Sequence, residues 1–112
     1  MTTATRSPLH TPLCDRLGLR YPICQAGMAF VARSGLAAAV SAAGGLGVIG
    51  AAHGSPVQLR EEVRRVRDLT DRPFGVDILF ATVKTSGRET DAFTDAVWGW
   101  CDVTLEERAC QC

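Results

Sequence analysis

Three observations on the sequence predict an α/β fold of parallel strands joined by crossover helices. Two short apolar runs, residues 23–26 and 46–49, flank an alanine-rich segment; a charged amphipathic segment, LREEVRRVRDL (59–69), follows; and FGVDILF (74–80) is a third apolar run of strand length. Alternation of strand and helix in this order is the repeating unit of parallel α/β sheets. The chain has 112 residues, one domain at most, whereas a closed eight-unit barrel takes roughly 250.

Residues 1–10 are polar and expected to be disordered. Pro8, Pro12 and Pro22 punctuate the entry, and Pro22 holds Tyr21 out of the helical region, so the first strand, 23–26, is entered in an extended conformation. Residues 28–33 form a loop. Ser34 is the expected N-cap of the first helix, with Leu36, Ala37, Ala39, Val40 and Ala43 recurring along one face. Gly44 and Gly45 end it in a left-handed cap. Residues 46–49 are the second strand. Ser55-Pro56 then restarts helix, because serine caps and proline at the first helical position loses no bond. Leu59, Val63, Val66 and Leu69 are its buried stripe, and Arg60, Glu61, Glu62, Arg64, Arg65 and Arg67 are expected to face water, with Glu61 and Arg65 an i, i+4 pair. Asp71-Arg72-Pro73 ends that helix and residues 74–80 are the third strand. Phe93, Ala96, Val97 and Trp100 fit a third helix after a polar loop.

Composition excludes several classes of function. Twelve basic residues balance 12 acidic ones, so no electrostatic footprint for nucleic acid exists. No apolar run reaches the roughly 18 residues of a membrane span, and the N-terminus has no apolar core of a secretion signal, so a cytoplasmic location is expected. Five cysteines, at positions 14, 24, 101, 110 and 112, include no C-x-x-C pair. No metal site is expected, and Cys24 reads as a small core residue in the first strand.

Residues 45–50, GLGVIG, satisfy G-x-G-x-x-G. Dinucleotide binding requires such glycines to follow a strand and open a helix; here a helix precedes them and a strand runs through them, which removes that reading. The glycines serve packing instead, and His53 in the following loop is expected to be solvent-exposed. The better functional candidate is Gln25-Ala26-Gly27-Met28, at the carboxyl end of the first strand, where α/β folds bind ligands. Small Ala26 and Gly27 admit a flat ligand to the backbone, and Met28 offers a polarizable thioether to a ring. An ordinary tight turn followed by a core methionine fits the same residues.

YPICQAGMA, then LAAAVSAAGGLGVIGA, then SPVQLREEVRRVRDLTDRPFGVDILF resemble the N-terminal part of the nitronate monooxygenase (2-nitropropane dioxygenase) family, and CDVTLEER resembles the approach to that family's fourth strand. The resemblance implies a partial (β/α)8 TIM barrel, here its first three βα units, with residues 1–112 the N-terminal fragment of one FMN-binding domain. It implies FMN bound noncovalently and alkyl nitronates oxidised with molecular oxygen. Gln25, Ala26, Gly27 and Met28 match the first flavin-contacting loop, and Asp77 matches a flavin-facing position that is often Asn. An ionised Asp only accepts hydrogen bonds and adds negative charge beside a ring that becomes anionic on reduction. The family's catalytic histidine matches neither His10 nor His53, so no catalytic residue is assigned. Flavin-dependent enoyl-acyl-carrier-protein reductases have a similar first loop, with an aromatic like Phe30 after it. A truncated chain without catalysis of its own is the third reading.

Overall fold

The computed structural model of the chain describes residues 7–51 and 55–78. In chain order the elements are α1 (Pro12–Leu17), α2 (Ser34–Ala42), β1 (Gly47–Gly50), α3 (Pro56–Leu69) and β2 (Phe74–Asp77). β1 and β2 pair in parallel, Gly47 beside Phe74 through Gly50 beside Asp77, with α3 as the crossover. The α/β reading therefore holds for these residues. The expected third helix, His53 and the cysteines at 101, 110 and 112 lie outside the described residues.

The expected first strand is reduced to one parallel bridge, Cys24 beside Leu46. Leu46 N–H donates to the Ile23 carbonyl (2.8 Å) and Gln25 N–H to the Leu46 carbonyl (2.9 Å), after which the chain leaves the sheet. Cys24 is exposed there, not the core residue expected, and the buried free thiol is Cys14.

The alternation of β1 assigns its two faces. Gly47 and Ile49 face the helices, where Ile49 joins Ala37, Ala38, Ala51, Leu59, Val63, Val66 and Phe74 in the main core. Leu46 and Val48 face the other way, against Cys14, Leu17 and Leu19 from α1 and the turn behind it. α1 itself was not foreseen, although its signals are local: Thr11 precedes Pro12 at the first helical position, and Gly18 closes the helix at φ 67°.

α2 packs on β1 so closely that a Cβ at Gly47 would overlap the Ala37 carbonyl. That approach turns the buried face of α2 to its smallest residues, Ser34, Ala37, Ala38 and Ser41, an i, i+3, i+4, i+7 set. Of the expected face of Leu36, Ala37, Ala39, Val40 and Ala43, Ala37 is buried, but Leu36, Ala39 and Ala43 are exposed and Val40 is only half-buried. Ser41 is buried at no polar cost, because its hydroxyl accepts from Gly47 N–H at 3.0 Å. The helix stops at Ala42, and Gly44 at φ 106° supplies the left-handed turn foreseen.

α3 begins as expected, with Ser55 accepting from Gln58 N–H (3.3 Å) and the Gln58 side chain accepting from Ser55 N–H (2.9 Å) in a reciprocal capping box. Its buried stripe ends at Val66, and Leu69 is exposed. Glu62 does not face water. Its carboxylate accepts from Ser34 N–H at 2.7 Å and so caps α2, whose own N-cap, Arg33, makes no side-chain bond. Arg33 lies 3.8 Å and Arg65 3.6 Å from the same carboxylate, so Arg65 turns to Glu62 rather than standing only in the expected pair with Glu61. Partial burial opposes ionisation of Glu62, but the Ser34 hydrogen bonds and the two guanidinium charges together outweigh it and hold its pKa below the ordinary 4.5.

Two outcomes follow from these contacts. Gly47→Ala forces α2 off the sheet and lowers stability by about 1–3 kcal/mol or more, read as the shift in urea midpoint. Because the folded pKa of Glu62 is depressed, its stabilisation is complete above the unfolded value of 4.5 and is lost as pH falls through the lower folded value. Acid titration of stability therefore shows a steeper fall in wild type than in Glu62→Gln below about pH 4.5; superimposable profiles refute this.

Candidate functional site

The candidate residues gather at the carboxyl ends of the parallel strands, on the face opposite α2 and α3. Gln25 ends the extended segment, Ala26 to Met28 turn away from it, and Asp77 closes β2. By alternation, Val48, Gly50, Gly75 and Asp77 share this face: a Cβ at Gly75 would touch the Val48 methyls at 3.5 Å.

Gln25 explains how the first segment stays in register with so little strand. Its carboxamide Nε2 donates to the Val48 carbonyl (2.9 Å) while Val48 N–H donates to its Oε1 (3.2 Å). The side chain thus replaces the strand neighbour that Val48 would otherwise lack, and Nε2 also reaches the Ala26 carbonyl. A residue picked for ligand contact is committed first to holding the loop. Its half-buried position and paired amide leave Ala26 and Met28 as the exposed residues of this edge.

The two glycines of the site are set by close approach. A Cβ at Gly27 would collide with the Asp77 side chain, which lies flush against it, and one at Gly50 would come within 2.8 Å of the Met28 carbonyl. So Asp77, 50 residues later in the chain, does meet the loop that the sequence singled out. Ala26 and Asp77 are exposed, and Met28 is 41% exposed, presenting its thioether rather than burying it as a core methionine would. The arrangement combines a low rim of small residues, a polarizable sulfur and a carboxylate acceptor, which suits a flat, partly apolar ligand with donors on its edge.

Sequence reasoning missed two contributors, the Val48 backbone and Glu62. Nothing in a charged run marks one of two adjacent glutamates for capping a different helix, and a backbone partner leaves no residue signature. No group of three His, Cys, Asp or Glu among the described residues could hold a metal ion. No helix among them is long and apolar enough to cross a membrane.

Parallel strands with their loops and candidate ligand edge at the carboxyl ends belong to the α/β class of ligand-binding proteins. A nitronate monooxygenase family model matches residues 10–106, and the chain belongs to that family of oxidoreductases. It is 46% identical over 66 residues to a probable nitronate monooxygenase of Staphylococcus haemolyticus, covering 59% of this chain and 18% of that protein. It is 40% identical over 70 residues to a (3aS,4S,5R,7aS)-5-hydroxy-7a-methyl-1-oxo-octahydro-1H-indene-4-carboxyl-CoA dehydrogenase of Mycobacterium tuberculosis, covering 62% of this chain and 20% of that one. Among solved structures it is similar to FabK from Thermotoga maritima, with a TM-score of 0.74 and 36% identity over 89% of this chain and 28% of FabK. A nitroalkane oxidase from Streptomyces ansochromogenes aligns with a TM-score of 0.54 and 45% identity over 61% of this chain and 19% of that one. The chain spans about a fifth of the length of the curated relatives it matches.

Gln25→Leu keeps the volume and removes both bonds to Val48. The expected cost is about 1–3 kcal/mol, with hydrogen exchange at the Val48 amide accelerated more than at Ile49. Equal protection at Val48 in the two proteins would show that the carboxamide does not hold this edge.

Proposed function

We propose that this chain supplies one wall of the flavin site of an oxidoreductase that acts on alkyl nitronates with molecular oxygen. The single observation that carries the reading is the meeting of Gln25–Met28 with Asp77 at the strand ends, on the face away from α2 and α3. The residues fit an FMN ring. Gly27 and Gly50 carry no side chain and lie flush with their neighbours, so the rim is low, and the Met28 thioether stands half-exposed beside it. When bound, the flavin supplies the redox chemistry, taking electrons from the nitronate and yielding them to oxygen.

The chain's own residues hold and bias that ring. The backbone of Ala26 and Gly27 and the sulfur of Met28 form the contact surface, and Gln25 keeps the loop in place through Val48. Asp77 accepts a hydrogen bond from a ring donor, and its charge opposes the negative charge that reduction adds. No residue of this wall is assigned as a base. The phosphate anchor and the base belong, on this reading, to the part of the relatives that this chain does not span.

The likeness to FabK supports a second reading, a flavin-dependent enoyl-acyl-carrier-protein reductase built on the same wall. Exposed Phe30, beside the loop, favours it. Oxygen-dependent loss of an alkyl nitronate, against NAD(P)H-dependent reduction of an enoyl thioester, separates the two in a protein spanning the full length of the relatives.

For the 112-residue chain, gel filtration with FMN is expected to return colourless protein without nitronate turnover, since one wall lacks the anchor. Millimolar FMN is nevertheless expected to shift the Met28 methyl resonance and not that of Met1. A stoichiometric yellow protein overturns the single-wall reading, and an unmoved Met28 overturns the flavin site.

A further inference from the structure

We propose that Glu62 is a positioning residue for the site loop: from α3 it pins the 28–33 turn and so sets where the Met28 thioether stands. The proposal rests on the reading of Met28 as a ligand-facing group.

The turn is closed by two backbone bonds, Ala32 N–H to the Met28 carbonyl (2.7 Å) and Arg33 N–H to the Val31 carbonyl (2.9 Å). It is docked on β1 at both ends. Gly50 N–H donates to the Ala32 carbonyl at 2.9 Å, and the Met28 backbone packs against Gly50 where any side chain would intrude. At the entry to α2, Arg33 makes no side-chain cap bond. Glu62 provides one from another element, accepting from Ser34 N–H at 2.7 Å, with the Arg33 guanidinium 3.8 Å from its second oxygen.

Exposure shows which partner is fixed. The Glu62 side chain is 14% exposed, whereas those of Arg33 and Arg65 are 54% and 64% exposed. The carboxylate is the anchored group, and the flexible arginines come to it. Glu62 makes no contact with the candidate ligand edge. It acts through Arg33 and Ser34 on a six-residue turn whose opposite end carries Met28. The turn is thereby tied to two elements, to β1 through Ala32 and Met28 against Gly50 and to α3 through Ser34 and Arg33.

A merely structural cap would stabilise α2 and leave the turn alone, and the test separates these. In the 112-residue chain, Glu62→Ala is expected to accelerate hydrogen exchange at Ala32 and Gly50 on the order of tenfold, the loss of about one capping interaction, and to move the Met28 methyl resonance. Glu62→Asp keeps the charge but shortens the reach, and moves the same probes less. Glu62→Gln keeps an acceptor for Ser34 and restores most of the protection. Val66→Ala, a core change on the same helix, speeds exchange through α2 and α3 without singling out Ala32, Gly50 or Met28. The proposal is overturned if Glu62→Ala changes only α2 amides, if a folded Glu62→Asp is indistinguishable from wild type at Ala32 and Met28, or if Val66→Ala reproduces the Met28 shift. These readouts need no ligand. If FMN leaves Met28 unmoved in wild type, the flavin reading fails while the exchange data still decide the role of Glu62.

Discussion

The approach of α2 to β1 at Gly47 is the constraint on which the rest of this structure depends. With the Ala37 carbonyl occupying the space of a side chain at Gly47, the helix lies as low on the sheet as a backbone allows. That depth turns Ser34, Ala37, Ala38 and Ser41 inward and gives Ser41 its partner, Gly47 N–H. It also brings the first amide of α2 within reach of Glu62 on the neighbouring helix. A larger residue at Gly47 would lift all three at once, because close-packed interiors do not absorb a methyl group by local adjustment.

The parts legible in the sequence are those whose causes are local. The Ser55 cap, the proline beside it, the left-handed Gly44 and the stripe Leu59, Val63, Val66 all act within a few residues of themselves, and each was read in place; the Gln58 half of the capping box was not. The inverted order of helix and strand around the GLGVIG glycines was enough to dismiss a dinucleotide loop, and residues 47–50 of that motif are strand β1. The failures share a different cause. The inward face of α2 is decided by how near the sheet is, Cys24 by how soon the chain leaves the ladder, and Glu62 by a partner 28 residues away. None of these is written in periodicity. α1 is the exception, since Thr11, Pro12 and Gly18 were local signals passed over for a reading of loose termini.

The candidate loop shows the same division. That small residues and a methionine would sit at a strand end was visible in QAGM. That the glutamine would spend its carboxamide on Val48 was not, since the need arises only when the strand beside Val48 stops short. The wall is therefore built by substitution: a side chain does the work of a backbone, a glutamate the work of a cap, and an aspartate lies in the space of an absent Cβ. These substitutions account for how so short a run of strand keeps the loop in shape.

The packing of Cys14, Leu17 and Leu19 on Leu46 and Val48 has a consequence for direction. It lies at the amino end of β1, on the same face that carries Asp77 at the other end, so the sheet has a hydrophobic floor on one side and an open polar mouth on the other. The six-residue helix α1 thus covers the amino end of a face whose other end carries the exposed Asp77.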